Sequence, residues 1–323
     1  MKSIFITGAG GFIGSHLSAS LSGKYSIDAL LRYNSRHDRG MLEYQEAENE
    51  INIRFGDITD YHMIEAMTAK SDCIIHLASL IGIPYSYNAP LSYIRNNIEG
   101  TFNILMAARR NNVSHVIVVS SSEVYGTNSK IPLKEEYALK PQSPYAATKV
   151  SAEALAMSYY YSFDTPVTVL RPFNTYGPGQ SLRAIIPTVI IQALRGNTIE
   201  LGRTDVKRDF NYISDTVDGI AKTILNTNAI GRIINIGSGA MHSVGDIIEE
   251  ISHIKGSNLT VKHDRDRVRP SSSEVEHLLA DISLADKLLG YEPRYTLKQG
   301  LEETYRWFDK HQYRWNNKHS YME

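Results

Sequence analysis

The sequence predicts an α/β fold: a doubly wound parallel (Rossmann) sheet of about seven strands with a smaller, discontinuous C-terminal substrate-binding domain. Three observations lead there. Seven short apolar, β-branched runs recur along the first three quarters of the chain. Longer helical patterns separate them, the alternation expected of βα units. A glycine-rich turn follows the first run, where such folds hold a phosphate against a helix N-terminus.

The runs are Ile4–Thr7, Ile27–Leu31, Ile51–Phe55, Cys73–Leu77, Val116–Ser120, Val167–Arg171 and Ile233–Ile236. They are continuous rather than alternating, so both faces of the sheet should be buried under helices. A helix is expected from Pro90 to about Arg110, with Ile94, Ile98, Phe102 and Leu105 on one face. Another should start at Ser143-Pro144, an N-cap followed by proline at the first helical position. After Arg171 the rhythm breaks: Gly177-Pro178-Gly179, an apolar helix around Ala184–Leu194, then a polar loop through Arg208. Further helices are expected near Val244–Ile254 and Leu284–Leu289. These divide the chain into a dinucleotide-binding domain, 1–175 plus 206–236, and a substrate domain, 176–205 plus 237–323.

Composition narrows the class. The 323 residues are 42% apolar and 21% charged, enough to bury a full core. A net charge of −1 argues against a nucleic-acid or anionic-membrane surface. The single cysteine, Cys73, excludes a disulfide framework and a multi-cysteine metal site, and it reads as a buried strand residue. No metal is expected. No apolar run approaches the roughly 20 residues that span a bilayer, and the amino terminus enters a strand directly; the expected compartment is cytoplasmic.

Ligands of such sheets bind beyond the carboxyl ends of the strands. After the first strand stand Gly8-Ala9-Gly10-Gly11-Phe12-Ile13-Gly14, with glycines spaced GxxGxxG. Glycine-rich turns also serve packing, but this one opens a helix at the first strand–helix junction, where a dinucleotide pyrophosphate would lie. The second strand ends in Leu31-Arg32-Tyr33-Asn34-Ser35-Arg36. An acid there would accept hydrogen bonds from the ribose 2′-hydroxyl of NAD; Arg32 and Arg36 instead favour the 2′-phosphate of NADP, unless they are merely solvated loop charges. Asp57 and Ile58 follow the third strand, where they would meet the adenine. Leu77, Ala78 and Ser79 follow the fourth, on the path to the nicotinamide.

Tyr145 and Lys149, four apart on a predicted helix, share one face. A tyrosine of ordinary pKa, about 10, is a poor base at neutral pH; a nearby ammonium favours the phenolate. Lowering that pKa by about three units takes roughly 4 kcal/mol of differential stabilisation. The fifth strand ends in Ser120-Ser121-Ser122-Glu123-Val124-Tyr125-Gly126. Serines there are ordinary turn chemistry, but a carboxylate in the mouth of the site can remove a carbon-bound proton, which simple alcohol oxidation does not require.

Gly8–Gly14, Ser121 with Tyr145 and Lys149, and Arg171-Pro172-Phe173-Asn174-Thr175-Tyr176-Gly177-Pro178 resemble the extended short-chain dehydrogenases/reductases that act on nucleotide sugars, over essentially the whole chain. Ser-Glu-Val-Tyr-Gly at 122–126 is similar to the sugar-nucleotide 4,6-dehydratases. Ile83–Tyr87, Arg208–Tyr212 and Arg269-Pro270 with Ser273–Glu276 resemble the dehydratases of legionaminic acid biosynthesis. The resemblance implies a tightly bound NAD or NADP, with Asn97 and Pro172 joining Tyr145 and Lys149 beside it. It implies that Tyr145, Lys149 and Ser121 oxidise the sugar at C4, and that Glu123 removes the C5 proton as water leaves C6. Ser122 stands where some dehydratases have an aspartic acid, so Glu123 would serve both steps. Tyr85, Ser121, Glu123, Asn174, Arg208 and Arg269 would contact the nucleotide sugar, the arginines its diphosphate. Blind to the resemblance, Arg208 is a surface ion-pair partner for Asp205 or Asp209; Glu274 and Glu276 read as structural or rim groups and Trp307 as core or interface. A homodimer is expected by analogy. A 4-epimerase, a nucleotide-uronate decarboxylase and a non-catalytic dinucleotide sensor are the competing readings.

Overall fold

The computed structural model describes residues 1–47, 49–264 and 273–312. Its elements run β1 (Ser3–Thr7), α1 (Phe12–Leu21), β2 (Ser26–Arg32), β3 (Asn52–Gly56), α2 (Tyr61–Thr68), β4 (Cys73–His76), α3 (Ile83–Asn88) and α4 (Pro90–Tyr93). There follow α5 (Gly100–Arg110), β5 (His115–Val119), α6 (Pro144–Phe163), β6 (Val167–Pro172), β7 (Asn174–Tyr176), α7 (Ile185–Arg195), β8 (Thr198–Leu201) and β9 (Lys207–Arg208). The last third contains β10 (Phe210–Tyr212), α8 (Ile213–Thr223), β11 (Ile233–Ile236), β12 (His242–Ser243), α9 (Val244–Lys255), β13 (Thr260–His263), β14 (His277–Leu278), α10 (Ser283–Leu289) and α11 (Leu297–Lys310).

Seven strands form one sheet in the order β3-β2-β1-β4-β5-β6-β11, and every neighbouring pair is parallel. Each of the seven apolar runs supplies one strand. Their side chains alternate between two cores. Ile4, Ile6, Ala29, Leu31, Cys73, Ile75 and Ile117 pack with Leu17 of α1 and Val217 and Ile220 of α8. Phe5, Leu30, Ile74, Val116, Val118, Val167 and Val169 pack on the other face with Ile64 of α2, Ile104 and Leu105 of α5 and Ala156 of α6. That is why the inner runs lack polar alternation: neither face meets water. The edge strand β3 departs from the expectation of continuous burial, since Asn52 and Arg54 are exposed between the partly buried Ile51, Ile53 and Phe55. The order reverses at β1, between β2 and β4, and the loops leaving β1, β4, β5 and β6 all open on that one edge. Short sheets β10-β7, β13-β8 and β12-β9-β14 lie outside the main one.

α6 begins as expected: the Ala146 amide donates to Ser143 Oγ at 3.1 Å, with Pro144 at the first helical position. The helix expected from Pro90 to Arg110 does run through, but residues Ile94–Glu99 form a π-helical segment between α4 and α5. This rotates the apolar face. Leu105 is buried as expected, whereas Ile94 and Phe102 are exposed, and Thr101, Asn103 and Ile104 face inward instead.

Candidate active site

A cleft of about 1050 Å³ lies along the carboxyl edge of the sheet. At one end the glycine loop leaves β1. Gly8 has φ +72°, and a Cβ there would stand 2.8 Å from the Ala78 amide nitrogen; one at Gly14 would stand 2.2 Å from the Gly8 carbonyl oxygen. The loop therefore folds back on itself too closely to admit side chains at these positions and leaves a bare backbone cradle at the N-terminus of α1, which suits a pyrophosphate. Gly8, Gly11, Phe12, Ile13 and Gly14 line it, with Arg32 and Arg36 from the exit of β2 and Leu77, Ala78 and Ser79 from the exit of β4.

Beneath the cradle, Thr7 Oγ accepts the Leu77 and Ala78 amides at 3.2 and 3.1 Å and donates to His76 Nδ1 at 2.8 Å. His76 Nε2 then donates to Thr101 Oγ at 3.1 Å, because the Thr101 hydroxyl proton goes to the Asn97 carbonyl at 2.6 Å. Burial, and secondarily the nearby Lys149 charge, push His76 down to about 3, so it is neutral. Asn97 is likewise used up: its carboxamide accepts the Leu80 amide and donates to the Leu80 carbonyl and Thr148 Oγ. It ties the loop after β4 to the helix bearing Tyr145 and does not line the cleft.

At the other end stand the chemical groups. Tyr145 is buried, 6% exposed, and opens only to the cleft. Its pKa departs from the expected lowering beside an ammonium: burial raises it, a hydrogen bond with Ser121 lowers it, and the Glu123 and Tyr93 charges raise it, so the net direction is upward. Lys149 Nζ donates to the Val119 carbonyl at 2.9 Å. Burial brings Lys149 down to about 8, against an upward pull from Glu153. Ser121 caps the short helix Ser122–Tyr125 by accepting the Glu123 amide at 3.2 Å, so that Glu123 faces the cleft beside Tyr145. Pro172, Asn174 and Tyr85 line the same space.

Not every expected residue is there. Ser122 is buried and absent from the lining; the turn that exposes Glu123 puts its neighbour into the protein. Asp57 is also outside it, its carboxylate accepting the Thr59 amide and hydroxyl at 2.9 and 2.8 Å. Ile58 packs into the core, 2.4 Å from where a Cβ of Gly100 would be. Arg269 lies outside the described residues. Arg208 lines the cleft but pairs with neither Asp205 nor Asp209: it donates to Glu274 Oε1 at 2.9 Å, both side chains largely buried. Asp205 belongs to Arg203, which also holds Glu276. Asp209 points away and gathers the Ser238, Gly239 and Ala280 amides. Glu274, read as a rim group, is thus inside the cleft. Trp307 packs with Tyr44, Phe308 and His311.

Other lining residues escaped the sequence reading. Asp38 reaches the adenosine end six residues beyond β2, its carboxylate accepting the Gly40 amide at 2.6 Å. Gln180 and Arg183 enter from the loop before α7. The Gly177-Pro178-Gly179 turn after β7 was the available signal for them. Among the described residues, Ser120 Oγ, Asn174 Oδ1 and Gln180 Oε1 are buried in this cleft without a hydrogen-bond partner. Such orphaned atoms are expensive unless a polar ligand meets them.

The model of the family described as GDP-mannose 4,6-dehydratase matches residues 5–304. The chain belongs to that family. Its members share the nucleotide-sugar epimerase/dehydratase fold seen here. An uncharacterized protein of Methanocaldococcus jannaschii is 34% identical, over 95% of this chain and 96% of its own length. A Bacillus cereus UDP-glucuronic acid 4-epimerase, solved with UDP-glucuronic acid and NAD, is 30% identical with a TM-score of 0.86, covering 95% of this chain and 99% of its own. TunA, an NAD-dependent NDP-hexosamine 5,6-dehydratase of tunicamycin biosynthesis, is 29% identical with a TM-score of 0.84, covering 95% and 97%. The family thus includes both epimerases and dehydratases. No described helix is long and apolar enough to cross a membrane, and no described cluster of His, Cys, Asp and Glu could hold a metal.

Proposed function

We propose that the chain is a nucleotide-sugar 4,6-dehydratase acting on an N-acetylglucosamine-type nucleotide sugar. The observation that carries this reading is the Glu123 carboxylate facing the cleft beside Tyr145. The glycine cradle and the orphaned polar atoms suit a dinucleotide and a hydroxyl-rich substrate. The Bacillus cereus relative was solved with NAD and TunA is described as NAD-dependent, and Asp38 brings an acid to the adenosine end; NAD is the cofactor we assign, and Arg32 and Arg36 are the residues that would argue for NADP.

When bound, the oxidised dinucleotide supplies the acceptor and later the donor of the hydrogen that leaves C4. Tyr145, with Ser121 on its hydroxyl and Lys149 one turn away, takes the proton of the sugar 4-hydroxyl. The ketone at C4 acidifies the C5 hydrogen. Glu123 removes that proton, and water leaves from C6. Because Ser122 is turned inward, Glu123 also delivers the proton to the departing hydroxyl, and a C5–C6 double bond remains. The hydride taken from C4 would return to C6 and the proton held by Tyr145 would balance C5, giving the 4-keto-6-deoxy sugar. Asn174 and Arg208 hold the diphosphate, which requires Arg208 to exchange its Glu274 partner for phosphate oxygens.

A 4-epimerase is the second reading, favoured by the likeness to the Bacillus cereus enzyme; it uses Tyr145 and Lys149 but has no task for Glu123. Incubation of the purified protein with GDP- and UDP-N-acetylglucosamine, followed by mass spectrometry, separates the two. Loss of one water by the wild type and not by Glu123→Gln supports dehydration; an unchanged mass with inversion at C4 by NMR sinks it. The chain also forms a homodimer on this reading. Leu91, Ile94 and Phe102 are exposed apolar residues, and Phe102 meets Tyr159 edge-on, which in turn meets the exposed Phe163. A second copy would cover this patch.

A further inference from the structure

Glu153 and Arg171 form an ion pair with side chains only 4% and 2% exposed. Arg171 Nε and Nη2 donate to the two Glu153 oxygens at 3.0 and 2.7 Å. A buried pair of this kind is weak support for stability as such, because desolvation offsets most of its attraction. Its place in the fold suggests another role. Glu153 is four residues after Lys149 on α6, so the two side chains are neighbours on one helix face. Left alone, a buried carboxylate one turn from a buried ammonium closes on it. Lys149 does not do so: it donates to the Val119 carbonyl and lines the cleft.

We propose that the Glu153–Arg171 pair is a positioning device for Lys149. Glu153 supplies the negative charge that lets the lysine remain an ammonium in a dry site, and Arg171 occupies both Glu153 oxygens so that the lysine stays turned to the cleft. The same arginine steadies the base. Its Nη1 donates to the Tyr125 hydroxyl at 2.8 Å and the Glu135 carbonyl at 3.1 Å, and Tyr125 ends the short helix that presents Glu123. Tyr125 in turn donates to Asn235 Oδ1 on β11 at 2.8 Å. One buried guanidinium therefore links α6, β6 and the Glu123 turn. The ionisable groups facing Lys149 are Glu153 and, one turn earlier, Tyr145 on its own helix, neutral His76 on β4 and, behind Glu153, Arg171 on β6; Glu123 after β5 acts on Tyr145 from the same cleft.

The proposal rests on Tyr145 and Lys149 being the chemical pair, so its test must not depend on turnover alone. In protein labelled with [13C]lysine, the Lys149 Cε resonance, assigned with Lys149→Met, is followed against pH. The wild type should titrate near pH 8. Arg171→Met frees Glu153 to capture the lysine, and the midpoint should rise by at least one unit. The double variant Glu153→Gln, Arg171→Met strands no charge and should titrate at least half a unit below the wild type. In turnover assays the alkaline limb should move with each midpoint, and Arg171→Lys should recover part of the rate. Midpoints that do not move in opposite directions overturn the proposal; if Arg171→Met does not fold, the double variant decides alone. Absence of turnover with every nucleotide sugar, with the midpoints moving as stated, would fault the functional reading and leave the positioning role standing.

Discussion

His76 and His115 make the protein acid-sensitive in a way that can be worked out from the fold. Both are buried and neutral: His76 is held down to about 3 and His115 to about 4, in each case chiefly by burial. His115 Nδ1 accepts the Leu225 amide at 3.1 Å, and its Nε2 donates to Thr168 Oγ at 2.8 Å, whose own proton goes to the Ala229 carbonyl. Neither ring has room for a second proton without turning an acceptor into a donor. In the unfolded chain both protonate near 6.5. The depressed folded values mean that stability is full above pH 6.5 and is lost as pH falls toward 4 and 3. At pH 4.5 each histidine has withdrawn about 2.5 kcal/mol, and the two together about 5, against a typical total of about 5–15. Other groups titrate there too: buried Asp209 and Asp215 have raised pKa values and act in the opposite sense, while Asp72 and Asp246 have lowered ones. Comparing variants cancels these. Urea unfolding at pH 7.0 and 4.5 should show that His115→Asn, and separately His76→Asn, loses about 2.5 kcal/mol less than the wild type over that interval. A difference under about 1 kcal/mol for both would refute the assignment of buried neutral imidazoles. Protonation of His76 should also loosen the cleft floor, since Thr7 would then face a donor where it now donates.

Gly14→Ala should abolish retention of dinucleotide on gel filtration, weakening binding at least 100-fold, because its Cβ would stand 2.2 Å from a backbone oxygen that cannot move aside. Arg32→Ala combined with Arg36→Ala should leave NAD affinity within a few-fold by calorimetry; a large loss of NAD binding would show that these arginines hold the shared part of the dinucleotide. Phe102→Asp should convert a dimer to a monomer by light scattering while the far-ultraviolet spectrum is unchanged. Turnover should fall as pH rises through about 8, where Lys149 gives up its proton and Tyr145 its cation; a rate that is flat to pH 9.5 would contradict this.

The sheet was legible in the sequence because its inner strands are buried on both faces and so appear as nearly unbroken β-branched runs, while edge strand β3, with Asn52 and Arg54 exposed, shows instead the alternation of a half-buried strand. The motif residues were legible for the same reason: they sit immediately after such runs. What was not legible lies where side chains meet across long separations. Nothing near Arg208 in sequence indicates Glu274, 66 residues away. The π segment at Ile94–Glu99 has no periodic signature of its own, and it displaced the predicted face of the following helix. Asp57 occupies the expected position after β3, yet Thr59 two residues on supplies local donors that draw its carboxylate into a turn. Ser122 and Glu123 are adjacent, and only the short helix they start decides which of them reaches the cleft.

That last point bears on how one carboxylate can do the work of two groups. In dehydration a base must take the C5 proton and an acid must protonate the hydroxyl leaving C6; the base acts first. A carboxylate that has just accepted a proton is, at that moment, a carboxylic acid able to pass that proton on to a leaving hydroxyl. A serine hydroxyl is a far weaker acid, and here it is also buried in the wrong direction. The absence of an aspartic acid at position 122 therefore removes no step, provided C5 and O6 lie on the same side of the sugar as Glu123. An epimerase makes the opposite demand: the ketone must turn over in the site, and a carboxylate base beside it has no proton it needs to remove and invites loss of the C5 proton that the ketone has acidified. Glu123 beside Tyr145 suits elimination better than rotation.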